Sequence, residues 1–349
     1  MAKKKLLPKN FDELLEKGDL NALKAVFDTC EVDARGGYDK QPAIAFDLCP
    51  DELVRWLVRE KGADLHAPDQ RGRTPLHVRA RSRRGSIDVL LELGANVHEN
   101  STSSGTPLHA AAQAHNATNV RKLIAAGADV KAEADRARTP LDLALQTCSN
   151  IEIEETVSLA EALLAAGAVV GWEAKDAVTA IGERFEFHRA GFNPKFVDGV
   201  SNALDKLYVL IDVPPVPRRV QYDGKSPITL KPGTWQEQHE ALWQWLVPSK
   251  GAAATVQGEV VRVSGRLSHE WRGNGGINWD ADFKKMATAF VQLLQSGTPL
   301  SAADVAEADA IVSDIKHRED DTLRLAELAV KWVGQNPTPN PLEKPAYKR

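Results

Sequence analysis

The heptapeptide TPLHVRA at Thr74 returns as TPLHAAA at Thr106 and as TPLDLAL at Thr139, at intervals of 32 and 33 residues. A repeat of this length is one supersecondary unit that cannot bury its apolar side alone, so the chain has to stack successive copies. A second marker runs in step with the first. Gly62-Ala63, Gly94-Ala95, Gly127-Ala128 and Gly167-Ala168 each close an apolar segment such as VRKLIAAGADV, the last interval stretching to 40 residues. Thr suits a helix N-cap, Pro the first helical position and Gly the turn past a helix end. The space between Thr-Pro and Gly-Ala holds two short helices, so each unit reads as a helix pair followed by a turn.

The two markers, recurring together at this period, resemble the ankyrin repeat over about residues 8–171. Two degenerate units precede the clear ones. GDLNALKAVFDTCEVD, with a single helix, is similar to an N-terminal cap, and QPAIAFDLCPDELVRWLVREKGADL carries Pro42 33 residues before Pro75. The resemblance implies an all-α solenoid in which Thr74, Thr106, Leu76, Leu108, His77 and His109 tie one repeat to the next by capping, packing and hydrogen bonds. It also implies a molecule that binds a protein partner.

After Gly171 the period ends, and most of the tryptophans are now concentrated in Trp235, Trp243, Trp245, Trp271, Trp279 and Trp332. We therefore expect a repeat domain over residues 1–172, a helical C-terminal domain over 173–334 and a mobile Pro- and Asn-rich tail over 335–349. The C-terminal domain opens on two helices interrupted at GFNP, crosses the Pro-rich stretch DVPPVPRRVQYDGKSPITLKPGTW, and resumes at WQEQHEALWQWLV. From Thr255, a plausible N-cap, Val256, Val260, Val263, Leu267 and Trp271 form an apolar stripe beside a charge ladder of Glu259, Arg262, Arg266 and Glu270. The string from LVPSKGAAATVQGE through NGGINWD is similar to a segment of uncharacterised bacterial proteins with TVQGE, RL-x-x-E and N-G-x-x-NW. That likeness implies a bacterial origin and a defined module, and carries no reaction with it.

Composition excludes several classes. With 43% hydrophobic and 26% charged residues and a formal charge of -4, the chain reads as soluble and globular, without the basic excess of a nucleic-acid-coating protein. MAKKKLLPKN has no apolar core behind its lysines, and no segment approaches the length of a membrane span, so a cytoplasmic location is expected. Cys30, Cys49 and Cys148 have no metal-like or paired spacing and read as core residues. HExxH, GxSxG and GxxxxGK[ST] are missing, the lone GNGG follows a helix rather than a strand, and His188, His239 and His269 have no sequence partner; neither metal nor cofactor is expected.

Two groups of residues depart from a plain scaffold. Arg79 stands where the repeat usually has a small residue, with Arg71, Arg73, Arg81, Arg83 and Arg84 around it and Arg136 and Arg138 in a later turn. Guanidinium groups at repeated turns would line one edge of a solenoid and suit an acidic partner surface; the alternative is a solvated, locally paired surface. The second group is Gln257, Glu259, Arg262, Arg266, Glu270, Asn274, Asn278 and Asp280. As a pocket it would use Glu259 or Glu270 as acid or base, with the repeats recruiting substrate; as a network it would pin helix against turn. The reading favoured is a non-enzymatic recognition module, and by analogy with compact bacterial repeat proteins an immunity protein that neutralises a cognate toxin.

Overall fold

The computed structural model describes residues 2–101 and 104–348. Its contacts divide it into two compact units, one of residues up to Phe185 together with Asn193–Val216, the other of Glu186–Phe192 and the chain from Pro217 onward.

The first unit opens with an element outside the all-helical expectation. β1 (Lys4–Leu6) is followed by α1 (Phe11–Lys17) and α2 (Leu20–Thr29), and the chain then returns as β2 (Cys30–Gly36) parallel to β1. The far end of β2 pairs antiparallel with β3 (Gln41–Pro42). The N-terminal cap is thus two helices and a small sheet in place of one helix. Asp19 caps α2 by accepting from Asn21 and Ala22 N–H groups, while Gly18 turns the chain in the left-handed conformation.

Helix pairs follow at the repeat period. After α3 (Asp51–Arg59) come α4 (Pro75–Arg81) with α5 (Asp88–Glu92), α6 (Pro107–Gln113) with α7 (Ala117–Ala125), and α8 (Pro140–Thr147) with α9 (Ile153–Ala165). The Thr-Pro markers open α4, α6 and α8 through reciprocal caps, with His77 or His109 at the third helical position in the first two and Asp142 in the third. The Gly-Ala markers end α3, α5, α7 and α9: Gly62, Gly94, Gly127 and Gly167 all have φ between 76° and 94°, where a Cβ is disfavoured. α4 packs on α6 and α6 on α8 as an inner row, while α7 packs on α9 in an outer row.

The outer row continues past the last sequence marker. α11 (Pro194–Ile211), reached through α10 (Trp172–His188), packs on α9 as α9 packs on α7. Its buried stripe of Val200, Leu204, Leu207 and Ile211 supplies the apolar cover that the last repeat needs. The division therefore does not fall at the expected 172/173. α11 has neither Thr-Pro-Leu-His nor Gly-Ala, so the period could not reveal it.

In the second unit, α12 (Trp235–Leu246), α13 (Val256–Ser268), α14 (Ala281–Leu293), α15 (Ala302–Ser313) and α16 (Thr322–Gln335) enclose one core. α13 is its axis, packed on α12, α14 and α16 through Val260, Val263 and Leu267, and it passes into a single π-type turn at His269–Gly273. The expected mobile tail is instead strapped to the start of α13. Thr255 bridges Pro341, Leu342 N–H donates to Ala254 O at 3.1 Å, and Tyr347 is buried. Pro and Asn composition signals a chain without regular structure, and here that irregular chain is held by partners on α13. No helix of the described residues is long and apolar enough to cross a membrane.

Candidate functional site

The arginines of the repeat unit separate by what surrounds them. Each inter-repeat turn closes with the same backbone bond, Asp69 N–H to Arg73 O, Ser101 N–H to Gly105 O and Ala134 N–H to Arg138 O, at 2.8–2.9 Å. The middle turn has Gly105, at a φ of 65°, where its neighbours have arginine, and a Cβ there would meet Ala134 and the His109 ring. The expected row is therefore interrupted. Arg73 is buried between Asp69 and Asp39, at 2.6 Å from each carboxylate, and Arg71 donates to the other Asp39 oxygen at 3.0 Å. Burial opposes the charge on Asp39, but the Arg73 bond and the two guanidinium charges outweigh it and hold its carboxyl below the ordinary range. These two arginines fasten one turn to the previous unit. Arg138 bonds Asp135 O, and Arg136 projects into solvent beside Asp135.

Arg79 contradicts the exposed reading outright. It is 1% exposed, in the inner-helix position that Ala111 and Ala144 occupy in the next repeats, and its Nη2 donates to Cys49 O. A residue there faces the preceding unit whatever its type, so the guanidinium is carried into the stack. Arg81, Arg83 and Arg84 remain at the surface, on and after the end of α4. Arg81 donates to Gln113 Oε1 at 3.0 Å and, with Arg73 and Arg84, borders a cleft of about 610 Å³ that also meets Asp12, Asp39 and Asp47. Burial and the nearby Arg73 and Arg71 charges push Arg81 below its ordinary value.

The polar string of the second unit resolves into two arrangements. Glu259 and Arg262 form a buried ion pair at 2.6 Å, and Glu259 also accepts from Tyr347 Oη at 2.6 Å and from Ala253 N–H at 2.9 Å. Burial opposes ionisation of Glu259, yet these donors hold its carboxyl below the usual range, while burial and Glu259 push Tyr347 up. Gln257 donates to Asn336 O and Thr338 O and accepts from Asn340 N–H, so its whole amide binds the tail. The other arrangement is built on Glu270, which accepts from Asn278 N–H at 2.6 Å and from the amides of Asn274 and Asn278. Asp280 caps α14 by accepting from Asp282 and Phe283 N–H groups. A turn held by a carboxylate keeps that carboxylate ionised, and Glu270 is accordingly lowered despite some burial. Both Glu259 and Glu270 are thus held by several donors.

Arg266, Glu270, Asn274 and Asn278 do line one side of a cleft of about 480 Å³, with His239 and Trp243 opposite. Gly265 allows this approach, since a Cβ there would lie 2.4 Å from the Trp243 ring. His239 Nε2 is 3.0 Å from Ser264 Oγ, whose own proton is directed to Val261 O at 3.0 Å. Among the described residues no group of three His, Cys, Asp or Glu side chains is placed to hold a metal ion. All three cysteines are buried, and burial pushes Cys49 up to about 12 and Cys148 to about 11.

Residues 43–134 match the ankyrin-repeat family in three copies. The geometry of the markers agrees with that match: His77 Nδ1 accepts from Thr74 N–H while Nε2 donates to Gly105 O in the next turn, and His109 does the same with Thr106 and Arg138 O. The ankyrin match ends before the 248–280 string, whose likeness to bacterial proteins gains no support from it. A comparison with curated proteins gives no match.

Sequence reasoning missed two residues with a prominent place in the structure, Tyr38 and Arg219. Tyr38 stands 86% exposed on the rim of the larger cleft. Arg219, from the Pro-rich stretch, donates to four carbonyls, those of Phe187, Trp243, Gln244 and Val247, and lies 4.3 Å over the Phe187 ring. Its only sequence signal was an arginine pair in a segment with no regular structure.

Proposed function

We propose that this chain is a non-enzymatic protein-recognition molecule whose ankyrin stack presents Arg81, Arg83 and Arg84 to an acidic feature of its partner. The observation that carries the reading is the contrast among the eight arginines. Arg71 and Arg73 are bonded to carboxylates and Arg79 is inside the stack, whereas Arg81 stands near like charges without a carboxylate bond of its own among the described residues. A cluster of that kind gains most when a partner supplies the missing anions, and guanidinium groups accept carboxylates bidentately. The rigid helix pairs reduce the ordering cost of binding. Ankyrin repeats generally serve protein–protein interaction, which supports the same class of function.

A narrower form of the reading is an immunity protein that neutralises a cognate bacterial toxin, on analogy with other compact repeat proteins. The alternative of an enzyme centred on Glu259 or Glu270 has less support, since both carboxylates hold structure through several donors. Affinity purification of the intact protein from its own cells, with mass spectrometry, tests the proposal. The expected result is one stoichiometric protein, lost when Arg81 and Arg84 are changed to Glu and retained when Arg136 is. A partner indifferent to Arg81 and Arg84 would remove them from the interface; a toxin encoded beside the gene would support the narrower form.

A further inference from the structure

At the opposite end of the inner row from Arg81, the first unit leaves a groove between α8 and α10. Its volume is about 420 Å³, and Trp172, Ala177, Ala180 and Leu145 supply its apolar lining. Trp172, the first residue of α10, is 73% exposed. An indole left in water beside small alanines has room over it for one large apolar side chain, and tryptophan at such positions is the commonest kind of binding hot spot.

Two carboxylates and one guanidinium, that of Arg184, line the groove and leave it net negative. Glu173 and Asp176 lie one turn apart on α10, on the same stripe as Ala177 and Ala180. No ion pair engages either carboxylate among the described residues, because the nearby cations are bonded elsewhere. Lys175 reaches Asp212 at 2.9 Å, and Arg184 donates to Cys148 O. The groove thus offers an aromatic wall and two carboxylates, outnumbering its one guanidinium, to whatever enters it.

We infer that this groove docks a basic protein segment, one that seats an aromatic or large aliphatic side chain against Trp172 and directs a Lys or Arg within one helical turn of it toward Glu173 and Asp176. The inference rests on the protein-recognition reading and adds a second contact of opposite sign to it. The stack then carries a cationic loop at one end and an anionic aromatic groove at the other. A partner with the matching polarity binds in one direction only, since the reversed pose puts like charges together.

A display library of random peptides, panned on the intact chain with Trp172→Ala as counter-selection, tests the inference. The selected peptides are expected to share an aromatic or large aliphatic residue flanked by Lys or Arg. Their affinity should fall about 30-fold in Trp172→Ala, the loss of one hot-spot side chain. It should fall again in Glu173→Lys with Asp176→Lys, and stay unchanged in Arg81→Glu with Arg84→Glu. Selection of acidic peptides, or of none that prefer wild type over Trp172→Ala, overturns it. So does a dimer in sedimentation equilibrium that Trp172→Ala abolishes, which would make a second copy the occupant. Peptides lost in Arg81→Glu with Arg84→Glu but not in Trp172→Ala would sink the groove and leave the recognition reading standing. Trp172-dependent basic peptides with no stoichiometric partner in cells would do the reverse.

Discussion

Arg79 in the ankyrin stack and Arg262 in the second unit are both removed from water, at 1% and 2% exposure, by opposite routes. Arg262 is buried together with its counter-charge: Glu259, three residues earlier on α13, takes two of its N–H groups, and Tyr347 completes the carboxylate's shell from 88 residues away in sequence. Arg79 is buried by position alone. The repeat turns that residue toward the preceding unit, and the guanidinium receives one carbonyl while its Nε and Nη1 have no partner among the described residues. Burial accordingly lowers Arg79, whereas Arg262 is raised because Glu259 outweighs the burial. A periodic scaffold dictates location before chemistry; a single-copy core can match the two.

The largest effect expected from this contrast is on the paired site. Glu259→Gln leaves the buried Arg262 charge without its counter-ion and should destabilise the second unit by about 3–5 kcal/mol. Urea unfolding followed by tryptophan emission reports it directly, since six of the eight tryptophans lie beyond residue 217. A loss under about 1 kcal/mol would mean that the pair is relaxed and hydrated, and the contrast would collapse.

An intermediate effect is expected with pH. His77, His109 and His115 are all lowered by burial, His77 and His109 being neutral donors to the next turn. Below an unfolded value of about 6.5 the unfolded chain binds protons that the folded stack does not, so stability is full above that pH and falls as pH drops toward the lowered folded values. Each such histidine contributes a slope of at most about 1.4 kcal/mol per pH unit. In the second unit His239 is lowered in the same way, and the Glu259 pair is retained until the pH falls below the ordinary Glu range of about 4.3. Calorimetric melts between about pH 7 and 5.5 should therefore show the first unit losing stability more steeply. Equal slopes would show that the buried imidazoles titrate as if free.

The smallest effect, and the one of opposite sign, concerns Arg79. Arg79→Met keeps most of the volume and removes a charge with no counter-ion, and should stabilise the stack by about 1 kcal/mol in thermal or urea unfolding. Destabilisation instead would assign the bond to Cys49 O, or the distant Asp51 and Asp47 charges, a larger share of the stack's stability than the geometry suggests.

Legibility in the sequence followed the range of the interactions concerned. The capping residues, the left-handed glycines and the helix pairs between residues 40 and 171 could be read because each depends on neighbours three or four positions away. The arginines could not be sorted that way. Arg73 and Arg79 differ from Arg81 through Asp39 and Cys49, which lie about a full repeat upstream, with Asp69 as the one local partner of Arg73. The polar string likewise read as one site because its members are adjacent in sequence. In space Gln257 and Glu259 turn to the tail while Glu270 holds its own turn.

The sequence by itself determined that this chain stacks helix pairs, where most of them begin and end, and that a differently built helical region follows. Those properties come from local backbone preference repeated at a fixed period. Tertiary structure alone decided that α11 extends the outer row, that the last residues strap α13, and which charged side chains are buried or paired. Burial and counter-charge are supplied by residues distant in the chain, and no local pattern encodes them.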